Sequence, residues 1–149
     1  MMDSHHLELA FYRRLIALTY NGVTTLKPDD VFNPESTTST QVIRRGQVIS
    51  TDPETVGFGN GVYTRLEGLY QVDLWMPRAN SSALKDLRNM TDAHVAQFWP
   101  STGRGLTLTE EQTSANVVRR PAQHHLGREG AYLRETISVT FYVEELPSA

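Results

Sequence analysis

From Gly61 to Pro77 the chain reads GVYTRLEGLYQVDLWMP, and it then passes through a short polar break into SSALKDLRNMTDAHVAQFWP, which closes on Pro100. In an extended strand, successive side chains point to opposite faces. The first segment therefore places Val62, Thr64, Leu66, Gly68, Tyr70, Val72, Leu74 and Met76 on one face and Tyr63, Arg65, Glu67, Leu69, Gln71, Asp73 and Trp75 on the other. The first set is the expected core face. Strands usually run for about 5 to 6 residues, so part of this one is expected to project beyond its sheet. Gly68 marks the expected bend or bulge. The second segment is a helix beginning at Ser81 or Ser82, either of which can accept from a first-turn amide. It aligns Leu84, Leu87, Thr91, Val95 and Phe98 on one side.

The remaining elements follow from the same two periods. Leu7, Phe11, Leu15 and Leu18 define a first helix over residues 3–20, capped by Asp3 or Ser4 and stopped at Asn21-Gly22. The stretch VTTLKPDDVFNPESTTST holds Pro28, Pro34 and a Ser/Thr run, a composition that predicts a crossing connection. Gln41 to Ile49 reads as a strand interrupted at Gly46 by a bulge or tight turn. TDPETVGFGNG, residues 51–61, has no helical period and is expected to be a mobile surface loop. Leu106–Leu108 and Ala115–Arg119 form a candidate hairpin, and PAQHHLGREG is a second expected loop. In the last strand Leu133, Glu135, Ile137, Val139, Phe141 and Val143 alternate with Tyr132, Arg134, Thr136, Ser138, Thr140 and Tyr142. The order helix, strands, helix, strands predicts an α+β domain over residues 1–149. Its sheet is mainly antiparallel but mixed, both helices pack on one face, and loops near 51–61 and 120–131 are mobile.

Composition narrows the function. At 149 residues one domain can bury about 68 to 70% of its unfolded surface without staples. No cysteine is present, which removes disulfides, thiolate metal sites and thiol nucleophiles. Glu8, Arg13 and Arg14 interrupt the first apolar stretch, against a signal peptide or a membrane span, so a soluble protein outside the signal-peptide route is expected. With 14 basic and 17 acidic side chains the formal charge is −3, far from the footprint of a dedicated nucleic-acid binder.

The candidates for chemistry are weak. His5-His6 and His124-His125 could ligate a metal, but adjacent histidines diverge, whereas helical ligand pairs stand three or four residues apart. They read as surface histidines, and His94 reads as a partly buried, hydrogen-bonded one. GFGNG is not followed by a helix that could hold a phosphate. Asp29-Asp30 and Glu110-Glu111 read as solvated acids. No catalytic, cofactor or metal residues are assigned, and an enzyme is not expected. Arg104, Arg119, Arg120, Arg128 and Arg134 gather positive charge in the last third. That is either an ordinary solvated face, or a surface for an acidic neighbour or for DNA passing without sequence readout. Tyr63 and Trp75 on the outer strand face suit a protein interface if nothing covers that face, and core packing if something does.

The central strand and helix resemble the middle of bacteriophage tail terminator proteins. In that family a strand reading approximately G-x-Y-Q-V-D-x-x-x-P leads to a helix across the sheet, and here Gly68, Tyr70, Gln71, Val72, Asp73 and Pro77 match it. The resemblance extends from Leu7 to Glu145. It is carried by Gly61–Phe98 and Tyr132–Val143, while residues 21–60 match in character only. It implies a structural protein of the virion tail, assembled in the host cytoplasm, that caps the tail tube as a hexameric ring, stops its polymerisation and offers a head-joining surface. Implied partners are further copies of the chain, the tail tube protein and a head-completion or connector protein, with DNA passing through the ring. Neither cofactor nor membrane is involved. A ring needs one patch to meet a different patch on the next subunit. The candidates are Phe58, Tyr63, Arg65 and Trp75 for one, and Arg119, Arg120, Arg128 and Glu129 for the other. The alternatives are a head–tail connector and, from another class, a metal-dependent hydrolase using His124, His125 and nearby acids.

Overall fold

The structure, a computed structural model, describes residues 4–20, 22–34, 41–58, 61–100, 105–111, 113–117 and 119–145, and at residues 4, 50–58, 61–66, 144 and 145 it describes the backbone alone. The expected cap at Asp3, the stop at Asn21, the Ser/Thr run at 35–40, Arg104 and the polar end from Pro147 lie outside the described residues.

The fold is α+β. Its elements are α1 (Ser4–Ala17), β1 (Val23–Leu26), β2 (Val42–Phe58), β3 (Gly61–Pro77), α2 (Ala83–Phe98), β4 (Leu106–Glu110), β5 (Thr113–Val117), β6 (Ala122–Glu129) and β7 (Tyr132–Glu145). They build one mixed sheet in the order β1-β2-β3-β7-β5-β4, with β6 also on β7. β1 runs parallel to β2, and the remaining pairs are antiparallel. β7 is shared along its length: Tyr132–Ser138 pair with β6, while Phe141 and Tyr142 pair with β5.

Alternation predicts the β3 core face correctly in its described half. Tyr70, Val72, Leu74 and Met76 join one buried cluster with Leu7, Phe11 and Leu15 of α1 and Leu87, Met90, Val95 and Phe98 of α2. Phe11 stacks on Tyr70 at 4.6 Å between centroids, with Phe98 5.8 Å from the same tyrosine, so side chains of both helices meet this sheet face. At the start of α2, Ser82 does not cap an amide. Its hydroxyl donates instead to the Asp86 carboxylate at 2.9 Å. Leu84 is 42% exposed, and the buried stripe runs through Ala83, Leu87, Met90, Thr91, His94, Val95 and Phe98.

Both expected loops are corrected. Residues 51–58 continue β2, and β2 and β3 form a long hairpin with Phe58 paired to Gly61. Residues 122–129 are β6. Glycine and proline in these stretches suggest turns, but an edge strand tolerates them because only one side of it must hydrogen bond. Part of the expected crossing connection is β1, whose four residues are too few to show a period. Gly46 does not interrupt its strand either. It pairs with Val72, and a Cβ there would collide with the hydroxyl end of Tyr70. The register shift falls between Val48 and Ser50. Gly68 is paired with Thr51 and with Phe141, and the irregularity lies on β2, one pair away from it, opposite Leu69 and Tyr70.

Candidate assembly surface

Tyr63 and Arg65 lie in the distal half of the hairpin, paired with Val56 and Glu54, and Phe58 is at the end of β2. Arg119 and Arg120 are exposed just before β6, Arg128 is exposed on it, and Glu129 is half-buried beside Tyr132. These groups occupy opposite sides of the sheet, because β2 lies beyond one edge of β3 and β6 beyond the far edge of β7.

Trp75 belongs with neither group. It is 2% exposed, packs in a small second cluster with Ile43 and Tyr132, and has the Phe32 ring at 4.9 Å. The Arg45 and Arg134 guanidinium carbons lie 5.5 and 5.2 Å from its ring centroid, where cations are attracted to the negative π face. An extended strand rises about 3.3 Å per residue, which places Trp75 roughly 40 Å along β3 from Tyr63. Its role is to anchor the outer sheet face, and it is removed from the contact surface. The covering segment follows β1: Lys27 N–H donates to the Asp30 carboxylate and Ala131 N–H to the Pro34 carbonyl, bringing Phe32 over the tryptophan.

Beside Trp75 lies a charged network that residue patterning alone does not foretell. Asp73 is fully buried, and its Oδ1 accepts from Arg134 Nη2 at 2.8 Å, Thr136 Oγ1 at 3.0 Å and Gln71 Nε2 at 3.0 Å. Its Oδ2 has Arg45 Nη2 at 3.5 Å, an ion pair too poorly aligned to be a hydrogen bond. Arg134 also donates to Glu129 at 3.0 Å. Burial works against the Arg134 charge, but the bond and charge of Asp73, with those of Glu129, outweigh it and raise the pKa. Asp73 stands opposite Thr136 and diagonal to Arg134, which faces Trp75, and the sequence does not reveal that pairing of β3 with β7. The network ties Asp73 of β3 to Arg134 and Thr136 of β7 and to Arg45 of β2.

The histidines do not converge. His124 and His125 are neighbours on β6, so they leave the strand on opposite sides. His125 Nδ1 donates to Glu135 Oε2 at 3.1 Å, while Glu135 Oε1 lies 2.8 Å from the Thr91 hydroxyl. Among the described residues, no group of three or more His, Asp or Glu stands close enough to hold a metal ion. Nor is any helix among them long and apolar enough to cross a membrane. His94 is wholly buried. Arg44 Nη1 lies 2.9 Å from its Nε2, and since arginine only donates, that nitrogen is the acceptor and the proton sits on Nδ1. Nδ1–H donates to the Met90 carbonyl at 2.7 Å. Burial, aided by the Arg44 charge and opposed by the Met90 bond, pushes the histidine pKa down to about 4.

Arg119, Arg120 and Arg128 are exposed beside or on β6, and from Ser50 to Phe58 β2 has β3 on one side and no described strand on the other. No family model and no curated protein matches the chain. Solved structures do match: one chain superposes with a TM-score of 0.62 at 16% identity, over 99% of this chain and 100% of that one. At that identity the likeness is one of fold.

Proposed function

We propose that this protein is a structural subunit of the tail-terminator type, which caps the end of a phage or prophage tail tube as a ring, stops its polymerisation and presents a surface for head joining. The observation that carries this reading is the β2–β3 hairpin. β1 accompanies β2 only as far as Arg45, and β2 then continues to Phe58 with β3 on one side and no described strand on the other. A monomer gains little from so long an exposed edge, which is a template for pairing with another chain. The match at Gly68, Tyr70, Gln71, Val72, Asp73 and Pro77 to the family pattern supports the same reading, as does the exposure of Arg119, Arg120 and Arg128. A ring of six copies meeting the tube protein on one face and a connector on the other is the assembly this implies.

The test is addition of the purified chain to polymerising tail tube protein, with tube length followed by electron microscopy. Shortened tubes carrying an extra terminal ring support the terminator reading. Tubes of unchanged length, with the chain instead retained on the portal side of purified heads, would replace it with the connector reading.

A further inference from the structure

We infer that neighbouring copies join by β-sheet extension, with the free edge of β2 at Ser50–Phe58 in one copy pairing with the free edge of β6 at Ala122–Glu129 in the next. The inference deepens the proposed function and rests on its assembly reading. Three observations select these edges.

The first is where each edge lacks a described neighbouring strand. The Val48 N–H is taken by the Glu8 carboxylate at 3.2 Å, so α1 seals the β2 edge just beyond β1. From Ser50 onward no described strand covers it. β6 is bonded to β7 on one side and to no described strand on the other, and Ala122–Leu126 and Arg128 are exposed. A strand that contributes so little to its own core has backbone groups to offer elsewhere.

The second is charge. Residues 50–67 contain Asp52, Glu54 and Glu67 against Arg65 alone, whereas residues 119–129 contain Arg119, Arg120 and Arg128 against Glu129, which already accepts from Arg134. One edge is acidic and the other basic. Each repels its own kind and attracts the other, which selects a second copy in head-to-tail orientation. Pro53 supplies no N–H, so the β2 edge accepts only a partner whose bonding pattern tolerates that gap.

The third is position. β6 lies beside Tyr132–Ser138, whereas Ser50–Phe58 lies beside the hairpin end of β3, which pairs with the opposite end of β7. The two edges therefore stand on opposite sides and at opposite ends of one sheet. A contact between unlike edges propagates from copy to copy and closes into a ring when its rotation allows.

Absence of native cysteine makes disulfide trapping a clean test. Full-length Thr55→Cys and Gln123→Cys proteins are mixed under mild oxidation, with and without tail tube protein. The expected result is a disulfide dimer in the mixture, at least tenfold above either variant alone. Adding Arg119→Glu and Arg120→Glu to the β6 partner abolishes it, and Asp52→Lys with Glu54→Lys on the β2 partner restores it. Self-dimers of either single variant as abundant as the mixed dimer would overturn the pairing. A sixfold assembly in solution without mixed cross-links would overturn the edges and leave the assembly reading intact. Charge-dependent cross-links in a protein that ignores tube protein would support the edges and count against the terminator function. A monomer under both conditions would overturn both.

Discussion

Arg44 Nη1 and His94 Nε2 meet at 2.9 Å in a buried contact between β2 and α2. The arginine is 3% exposed, and burial lowers its pKa, opposed by nearby Tyr70 and Tyr12. Its Nε donates to the Thr25 hydroxyl at 2.7 Å. The histidine must remain neutral to accept this bond, which makes the pair sensitive to acid.

The folded His94 pKa of about 4 lies below the unfolded value of 6.5. Between these values the unfolded chain binds the extra proton, so stability rises with pH. The histidine's contribution is complete above pH 6.5 and is lost progressively as pH falls towards 4, by on the order of 3 kcal/mol. Urea unfolding at pH 7 and pH 4.5 measures it. His94→Gln, which keeps an acceptor for Arg44, should flatten this part of the profile.

Gly46 and Tyr70 are matched by volume. The tyrosine ring occupies the space a β-carbon would take, and its buried hydroxyl has no described partner. Gly46→Ala should cost about 1 to 3 kcal/mol through overpacking. Tyr70→Phe should be close to neutral, because it removes an unpaired buried hydroxyl. In the double variant the two effects should fail to add by at least about 0.5 kcal/mol, as a double-mutant cycle in urea would read.

Asp73→Asn should destabilise the fold by roughly 3 kcal/mol, because Arg45 and Arg134 lose the acid that compensates them in a largely buried setting. Arg13→Ala provides the contrast. Its 2.8 Å bridge to Glu110 leaves Arg13 62% exposed, so its loss should cost less than about 1 kcal/mol. Chemical denaturation of both variants in the same buffer tests the ranking.

Trp75→Leu should lower stability by about 2 to 4 kcal/mol, since it empties volume beside Phe32 and Tyr132. Its assembly should fall only in proportion to the folded fraction. Arg120→Glu should do the reverse, weakening assembly while shifting stability by no more than about 0.5 kcal/mol. Solution mass and melting temperature, measured together, separate the two kinds of residue.

The central strand, both helices, the β4–β5 hairpin and β7 were legible because each carries enough apolar residues to display a period of two or of 3.6. The edge strands were not. β6 exposes most of its residues and has no buried face to pattern, and the distal β2 contains Asp52, Pro53 and Gly57, which locally favour turns. Long-range pairing with β3 and β7 overrides that local preference. Arg119, Arg120 and Arg128 were legible as a charge excess, whereas the burial of Trp75 depends on Phe32 folding back from a segment without a periodic signal. The Asp73 network depends on cross-strand register, which one strand's sequence does not specify.

The most direct test of the proposed assembly through two complementary sheet edges is the mass of the protein in solution, measured by light scattering for the chain alone and mixed with tail tube protein. The proposed function requires a sixfold assembly, formed by the chain itself or on meeting the tube. A monomer at high concentration that remains a monomer beside tube protein would contradict it.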